Sequence, residues 1–166
     1  GNIGGYNYTG RVEMLPFGAF AGKGDYVGGD LKREKTPKLA IGVTYDYNVG
    51  ASKQKQSGKF LIDADGNYLQ NNLETFFADM MFKYQGFSLM GEYAHRVVDN
   101  MTDLGDNYLE LLIDANGRSY YTGDAINIQA GYLLKNNLEM SARYTKITPD
   151  RTASFTGTDE YTLGLS

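Results

Sequence analysis

Alternation of apolar and polar residues with a period of two recurs along most of the chain, and it limits the possible folds more than any other feature. The segment 38–48 is the clearest example, since Leu39, Ile41, Val43 and Tyr45 alternate with small or polar residues. Successive side chains of a β-strand point to opposite faces of a sheet, so this pattern predicts strands with one apolar and one polar face. Strands are predicted at 6–14, 38–48, 74–84, 87–96, 125–134, 138–147 and 160–166.

The connections between these segments alternate in length. Gln85-Gly86 and residues 135–137 are short and have the composition of hairpin turns. Short turns on one side of a sheet and long loops on the other are typical of outer-membrane barrels. The connection 21–37 is an exception, because it falls on the short-turn side but is long, and we expect a folded excursion or an unrecognised short strand there. The long polar stretches are 49–73, 97–124 and 148–159.

Averaged composition hides this pattern, because an average sums the two faces of each strand. The mean hydropathy of −0.43 and the hydrophobic content of 42% are those of a soluble protein. No stretch approaches the roughly 20 apolar residues of a transmembrane helix, whereas tilted strands of about 9–11 residues can cross a membrane. The sequence therefore predicts an all-β fold, an antiparallel transmembrane β-barrel, with a soluble β-sandwich as the alternative. Tyrosines on the apolar faces fit the aromatic girdle of such a barrel: Tyr6, Tyr45, Tyr47, Tyr84, Tyr93, Tyr132 and Tyr144.

Residue types that support most enzyme chemistry are scarce. The chain has no cysteine, which excludes disulfide scaffolds, thiolate metal sites and cysteine nucleophiles. Its single histidine, His95, leaves little room for a zinc site, and the acidic loop 63–67 lacks the distal glutamate of a calcium-binding EF-hand. A net charge of −4 argues against a nucleic-acid partner. We therefore expect no enzyme activity, no metal site and no cofactor.

Two of the long loops share a short motif. Residues 61–66 read LIDADG, and residues 112–117 read LIDANG. Asp-Gly and Asn-Gly are favoured dipeptides of type I′ turns. We therefore expect a small type I′ hairpin that projects beyond the membrane in each loop.

Several ordered segments resemble one known family. They read GRVEMLPFG at 10–18, DLKREKTPKLAIG at 30–42, ADMMFKYQGFSLMGE at 78–92 and EYTLGLS at 160–166. Together they resemble the phosphate-selective porin O and P family in its Bacteroidetes-like form. This resemblance implies a sixteen-stranded barrel, commonly a homotrimer, in the outer membrane of a Gram-negative bacterium. Because only about seven strands are predicted, we expect the whole chain, 1–166, to be part of a single barrel domain, a C-terminal-half fragment.

If the apolar faces meet lipid, the charged residues of the opposite faces line a pore. Four of these residues are positive and five are negative, so the chain supplies no surplus of positive charge for an anion such as phosphate. The alternative is that the charges pair across strands and stiffen the wall, which we expect for Glu92, Arg96, Glu139 and Arg143. The pore-lining candidates are Arg11, Glu13, Asp46, Asp79, Lys83, Glu92, Arg96, Glu139 and Arg143.

A run of basic residues, Lys53, Lys55 and Lys59, lies in the first long loop. It would attract anions if it faces a pore mouth, but such runs are more often solvated. The predicted function is passive diffusion of small hydrophilic solutes through a water-filled channel, with anions such as phosphate as one candidate class. The alternative is a scaffold or receptor that acts through its external loops, without an open channel. The expected partners are membrane lipid, lipopolysaccharide, and further copies in a homotrimer or a larger outer-membrane assembly.

Overall fold

Seven antiparallel strands form one sheet in the computed structural model, which describes residues 4–55, 58–99, 112–150 and 156–166. All seven predicted segments are confirmed as strands, and so is the all-β class. The strands are β1 (Asn7–Met14), β2 (Lys38–Ala51), β3 (Asn71–Tyr84), β4 (Phe87–Val98), β5 (Gly123–Leu133), β6 (Glu139–Pro149) and β7 (Thr158–Leu165). Each strand pairs with its neighbour in chain order, so the described sheet is open, with β1 and β7 at its edges.

The register keeps the alternation in phase from strand to strand. Val43 on β2 lies opposite Val12 on β1 and Ala78 on β3. The next residue, Thr44, lies opposite Arg11 and points to the other side of the sheet. The sheet therefore has an apolar face, which includes Val43, and a polar face, which includes Thr44.

Large hydrophobic side chains of the apolar face remain exposed. On the edge strands, Val12 is 75% exposed and Leu163 is 86% exposed. On the interior strands, Val43 and Ile128 are still 41% and 42% exposed. An apolar surface of this extent is a sign of a lipid or protein contact, because single exposed hydrophobic residues are common but contiguous ones are not.

A hydrophobic cluster joins the long loops to the sheet. It contains the leucine that begins each repeated motif, Leu61 and Leu112. The backbone N–H of Ala115 in the second motif also donates to the carbonyl of Ile62 in the first, at 2.9 Å. The two loops therefore pack against each other instead of projecting as separate hairpins. This long-loop cluster consists of Ala51, Leu61, Leu73, Val98, Leu112 and Tyr120.

The turns of the repeated motif share one backbone conformation, but it is not the predicted type I′ turn. Gly66 and Gly117 have φ angles of 84° and 71°, whereas neither Asp65 nor Asn116 has a positive φ. A type I′ turn needs positive φ at both central positions, so that prediction was wrong. Instead, the aspartate of each motif accepts hydrogen bonds from the backbone N–H groups two and four positions later. This is an Asx turn, which the glycine closes.

The two predicted short hairpins are confirmed. Gln85 and Gly86 have φ angles of 49° and 90°, which is the signature of the type I′ turn. In the second hairpin, the N–H of Asn137 donates to the carbonyl of Leu134 at 2.9 Å, and Asn137 has a φ of 67°. These turns fix the register of β3 with β4 and of β5 with β6.

The connection 15–37, which we call the strap, is a folded excursion without a strand. Ala21–Tyr26 forms short 3₁₀ turns with a kink at Gly22 and Lys23, where φ is 59° and 60°. Phe20 is buried at the start of these turns. Within the described residues, no helix combines the length and the apolar character needed to cross a membrane.

Candidate functional site

The polar face carries all nine charged residues that were predicted to line a pore. The register places them on the same side of successive strands, as with Asp79 on β3 opposite Glu92 on β4. Their shared face therefore follows from the alternation. Whether that face lines a pore stays a prediction.

An ion-pair network crosses the first three strands of this face, about halfway along their length. Arg11 on β1 donates to both carboxylate oxygens of Asp79 on β3, at 2.7 and 2.9 Å. It also donates to Glu13 at 3.1 Å and to the hydroxyl of Thr44 at 3.0 Å. Gly42 on β2 leaves room for this arrangement, because a Cβ there would lie 2.2 Å from the Arg11 guanidinium.

The expected ion pairs among Glu92, Arg96, Glu139 and Arg143 are not formed within the described residues. Glu92 instead accepts a hydrogen bond from the side-chain amide of Asn127 at 2.8 Å. Arg96 Nε donates to the hydroxyl of Thr75 at 2.9 Å, and Arg143 Nε donates to the side-chain carbonyl of Gln129 at 3.0 Å. Cross-strand pairing is therefore present, but the partners are neutral.

Lys83 holds the strap against the polar face at the end where the short turns lie. Its side chain is buried, and its ammonium donates to the carbonyl oxygens of Gly24, Val27 and Gly29, the first and last of them at 2.6 Å. Three carbonyl oxygens match the three N–H donors of an ammonium group. The strap backbone thus takes the place of solvent around this charge.

Asp30 of the strap binds the turn between β3 and β4. Its buried carboxylate accepts hydrogen bonds from the backbone N–H of Gly86 at 2.7 Å and from that of Glu34 at 3.0 and 3.1 Å. The N–H of Gln85 in turn donates to the carbonyl of Glu34 at 2.9 Å. Further along the strap, the guanidinium of Arg33 reaches the turn between β5 and β6. The strap therefore runs from β1 across the short-turn end of the polar face.

At the opposite end of the polar face, the first long loop borders a half-open cavity of about 450 Å³. Lys53 and Lys55 line it together with Arg96, whereas Lys59 does not; Lys55 and Lys59 are both exposed. The ammonium groups of the two lysines lie over aromatic rings, 4.5 Å from the centroid of Phe60 and 5.6 Å from that of Tyr121. We call this cavity, with its three cationic side chains, the cationic pocket.

Asp46 is the acidic residue of the pocket lining. Its carboxylate accepts a hydrogen bond from the side-chain amide of Asn7 at 2.8 Å and another from the hydroxyl of Thr9. Both donors reach Oδ1, and Asp46 keeps its negative charge, but the three cationic side chains of the lining outnumber it. A negatively charged solute is the complementary ligand for such a lining.

The apolar face ends, on the long-loop side, in a row of tyrosine–carboxylate pairs. Tyr47 donates to Asp99 at 2.7 Å, and Tyr144 donates to Asp159 at 2.8 Å. Asp124 similarly accepts a hydrogen bond from Tyr93 at 2.5 Å and lies 2.9 Å from Nδ1 of His95. A tyrosine ring on the apolar side with its hydroxyl on a polar group suits a boundary between apolar and aqueous surroundings.

Two parts of the site were not assigned from the sequence. The strap was flagged only by the unexpected length of its connection. Phe77 interrupts the polar face of β3 in the sequence pattern, and the structure places it in the lining of the cationic pocket.

Among the residues that the structure describes, no group of three or more histidine, aspartate or glutamate side chains could hold a metal ion.

Comparisons of the chain with protein-family models, with curated proteins and with solved structures found no match. The resemblance to the phosphate-selective porin O and P family therefore stays a prediction.

Proposed function

We propose that the chain forms part of the wall of an outer-membrane porin. The observation that carries this proposal is the separation of the two faces across seven strands. Val43 and its neighbours form an exposed apolar surface, whereas the ion pair of Arg11 with Asp79 lies on the other side of the same sheet. A transmembrane barrel needs an apolar exterior and a polar interior, and its closed ladder leaves no backbone group unpaired in lipid.

In this proposal the apolar face meets lipid and the polar face lines a water-filled lumen. The row of tyrosine–carboxylate pairs at Tyr47, Tyr93 and Tyr144 would lie at the level of the headgroups, among lipopolysaccharide. Small hydrophilic solutes would pass by diffusion, and the charges and width of the lumen would select among them. Membership of the porin O and P family, location in a Gram-negative outer membrane and assembly as a homotrimer are parts of the same proposal.

The charges of the polar face favour a general porin over a phosphate-selective one. Arg11 is occupied by Asp79 and Glu13, and Lys83 is buried beneath the strap. Neither residue therefore offers a free positive charge along the face. The cationic pocket is a local exception, so anions are one subset of the proposed solutes.

Conductance of the full-length barrel protein in planar bilayers tests this proposal, because the seven described strands form an open sheet and enclose no lumen by themselves. Refolded protein should produce discrete current steps that increase with salt concentration, because a water-filled pore conducts the bulk electrolyte. A protein of the same preparation that was left unfolded is the control. The absence of current in every salt, from protein that has inserted, would rule out the open pore.

A second candidate function is that of a scaffold or receptor with a closed lumen. The strap favours it, because Lys83, Arg33 and Asp30 fix this segment over the short-turn end of the polar face. Insertion without current would support this second function. Current steps that become larger when the strap is loosened would instead support the porin.

A further inference from the structure

We propose that the cationic pocket binds an aromatic carboxylate, with its ring against Phe77 and its carboxylate held by Arg96, Lys53 and Lys55. The inference rests on the proposed function, because such a ligand would reach the pocket as a solute that enters the lumen. It goes beyond that function because it names a solute class and the residues that select it.

Phe77 supplies the surface for the ring. It is 37% exposed on the polar face, where most neighbouring strand positions carry polar side chains. The register places it opposite Ala94, which lies opposite Ala125 and, one strand further, Ile147. An apolar row therefore crosses the polar face at the level of Phe77. Phe77 is the member of this row that lines the cationic pocket, and an aromatic ring placed against it gains contact area and a favourable ring–ring geometry.

The three cationic side chains supply the binding site for the carboxylate. The hydrogen bond from Arg96 to Thr75 uses Nε, and a guanidinium has two further Nη groups that can bind a carboxylate side by side. Lys53 also lines the cavity, and its ammonium lies over the ring of Phe60. The carboxylate of Asp46 opposes an anion, but the three cationic side chains of the lining outnumber it.

The pocket suits an organic anion better than a small inorganic one. Its volume of about 450 Å³ lies within the range of small-molecule sites, about 300–1,000 Å³. A hydrated inorganic anion would use the three cations but would gain nothing from Phe77. A neutral aromatic molecule would use Phe77 but would bring no negative charge to the three cations. An aromatic carboxylate uses both features.

Titration of the full chain in detergent micelles, followed by fluorine NMR, tests the proposal. The three probes are 4-fluorobenzoate, fluoroacetate, which has the charge without the ring, and 4-fluorobenzyl alcohol, which has the ring without the charge. We expect 4-fluorobenzoate to bind at least about tenfold more tightly than either of the others, because one contact of this kind typically changes affinity by that factor. Equal affinity for 4-fluorobenzoate and fluoroacetate would overturn the proposal.

Variants locate the binding site. Arg96→Gln and Lys53→Gln should each weaken 4-fluorobenzoate binding about tenfold. Phe77→Leu should remove the preference for 4-fluorobenzoate over fluoroacetate. Lys135→Gln is the charge-matched control, because Lys135 is exposed in a short turn at the other end of the sheet, and it should bind like the unmodified chain. Far-UV circular dichroism selects the variants that fold, and unchanged binding in folded Arg96→Gln and Lys53→Gln would overturn the proposal.

This test is independent of conductance, since binding in micelles needs no ion current. Binding of 4-fluorobenzoate without current in bilayers would overturn the open pore and leave the aromatic-carboxylate site in place. Current without a preference for 4-fluorobenzoate would overturn the site and leave the pore in place.

Discussion

Arg33 donates a hydrogen bond to the backbone carbonyl of Leu133 at 2.7 Å, although the two residues are 100 positions apart in the chain. The other Nη group of Arg33 donates to the carbonyl of Leu134 at 2.5 Å. The strap is thereby fixed to the turn between β5 and β6, four strands away from β1, where it begins. Because Lys83 holds the same segment over β3, the strap is anchored at two separate places.

Arg33→Ala should loosen the strap without unfolding the sheet. Two partly buried backbone carbonyls lose a charged donor, so we expect a loss of about 1–3 kcal/mol in the free energy of unfolding. Hydrogen exchange should become faster in residues 15–37 and stay unchanged in β2 and β3. Lys35→Ala, at an exposed position of the same segment, is the control and should change neither quantity. Unchanged exchange in the Arg33 variant would mean that the strap does not depend on this contact.

Lys83→Met should lower the free energy of unfolding more than Arg33→Ala does, because it removes the donor of three carbonyl groups. Methionine keeps the side-chain volume, so the change tests the hydrogen bonds alone. Hydrogen bonds to a charged group contribute about 1.5–3 kcal/mol, and buried acceptors left unsatisfied add to the loss. We therefore expect the free energy of unfolding, measured in urea, to fall by at least about 3 kcal/mol. If the proposed lumen exists, current steps should also become larger, because the strap would leave the polar face.

Lys38→Met is the matched control for that experiment. Lys38 lies opposite Lys83 in the register, but its ammonium makes one exposed hydrogen bond, to the carbonyl of Phe17 at 3.0 Å. The control should lose less than about 1 kcal/mol, as exposed contacts usually do. Equal losses in the two variants would show that the buried carbonyl contacts of Lys83 contribute little.

The strands and their faces could be predicted because alternation is a local property. Val43 and Thr44 fall on opposite faces whatever the rest of the chain does, and the register then extends those faces across the sheet. The strap could not be predicted in this way. Lys83 and Arg33 bind backbone carbonyls, which every residue offers, so the sequence holds no signal for which carbonyls they reach.

The neutral partners of the charged residues were also beyond the sequence. Alternating signs favoured ion pairs for Glu92 and Arg143, but the register sets Asn127 and Gln129 beside them. Which side chain lies opposite Glu92 depends on the pairing of β4 with β5, which a long loop separates. Gln129 lies opposite Arg143 because of the short turn between β5 and β6, a register that alternating signs alone do not give. Phe77 could not be assigned to the site for a related reason, because a residue that breaks the alternation has no assigned face until its neighbours are known.

Asp114 should make the stability of the long loops depend on pH. Burial alone would raise the pKa of its carboxyl group, but hydrogen bonds from the side chain and backbone of Arg118 and from the N–H of Asn116 outweigh burial and hold that pKa below the ordinary value of 3.8. A lowered folded-state pKa means that the ionised group stabilises the fold above the unfolded pKa, and that this contribution is lost as the pH falls through the folded pKa. Asp114→Asn should therefore be less stable at pH 7 and show a weaker acid dependence below about pH 5.

The repeated motif provides a control for this measurement. Asp63 makes the same turn, but the residue four positions later is Asn67 instead of an arginine. Asp63 is also less buried than Asp114. Hydrogen exchange of the long-loop cluster, measured across the same pH range, should respond less to Asp63→Asn than to Asp114→Asn. A larger response to Asp63→Asn would contradict the role given to Arg118.

Val43→Arg should prevent insertion into a bilayer if the apolar face meets lipid. Val43 lies mid-strand on β2, and an arginine near the bilayer midplane of a barrel exterior costs about 2–4 kcal/mol. Thr44→Arg places the same side chain one residue later on the polar face, between Arg11 and Phe77, where water can reach it in the proposed lumen. The fraction of protein that folds into lipid vesicles should fall sharply for Val43→Arg and little for Thr44→Arg. The two variants place the same charge on opposite faces of one strand, so the reverse order would show that the polar face meets lipid. Equal folding of both variants would contradict the proposed location in a membrane.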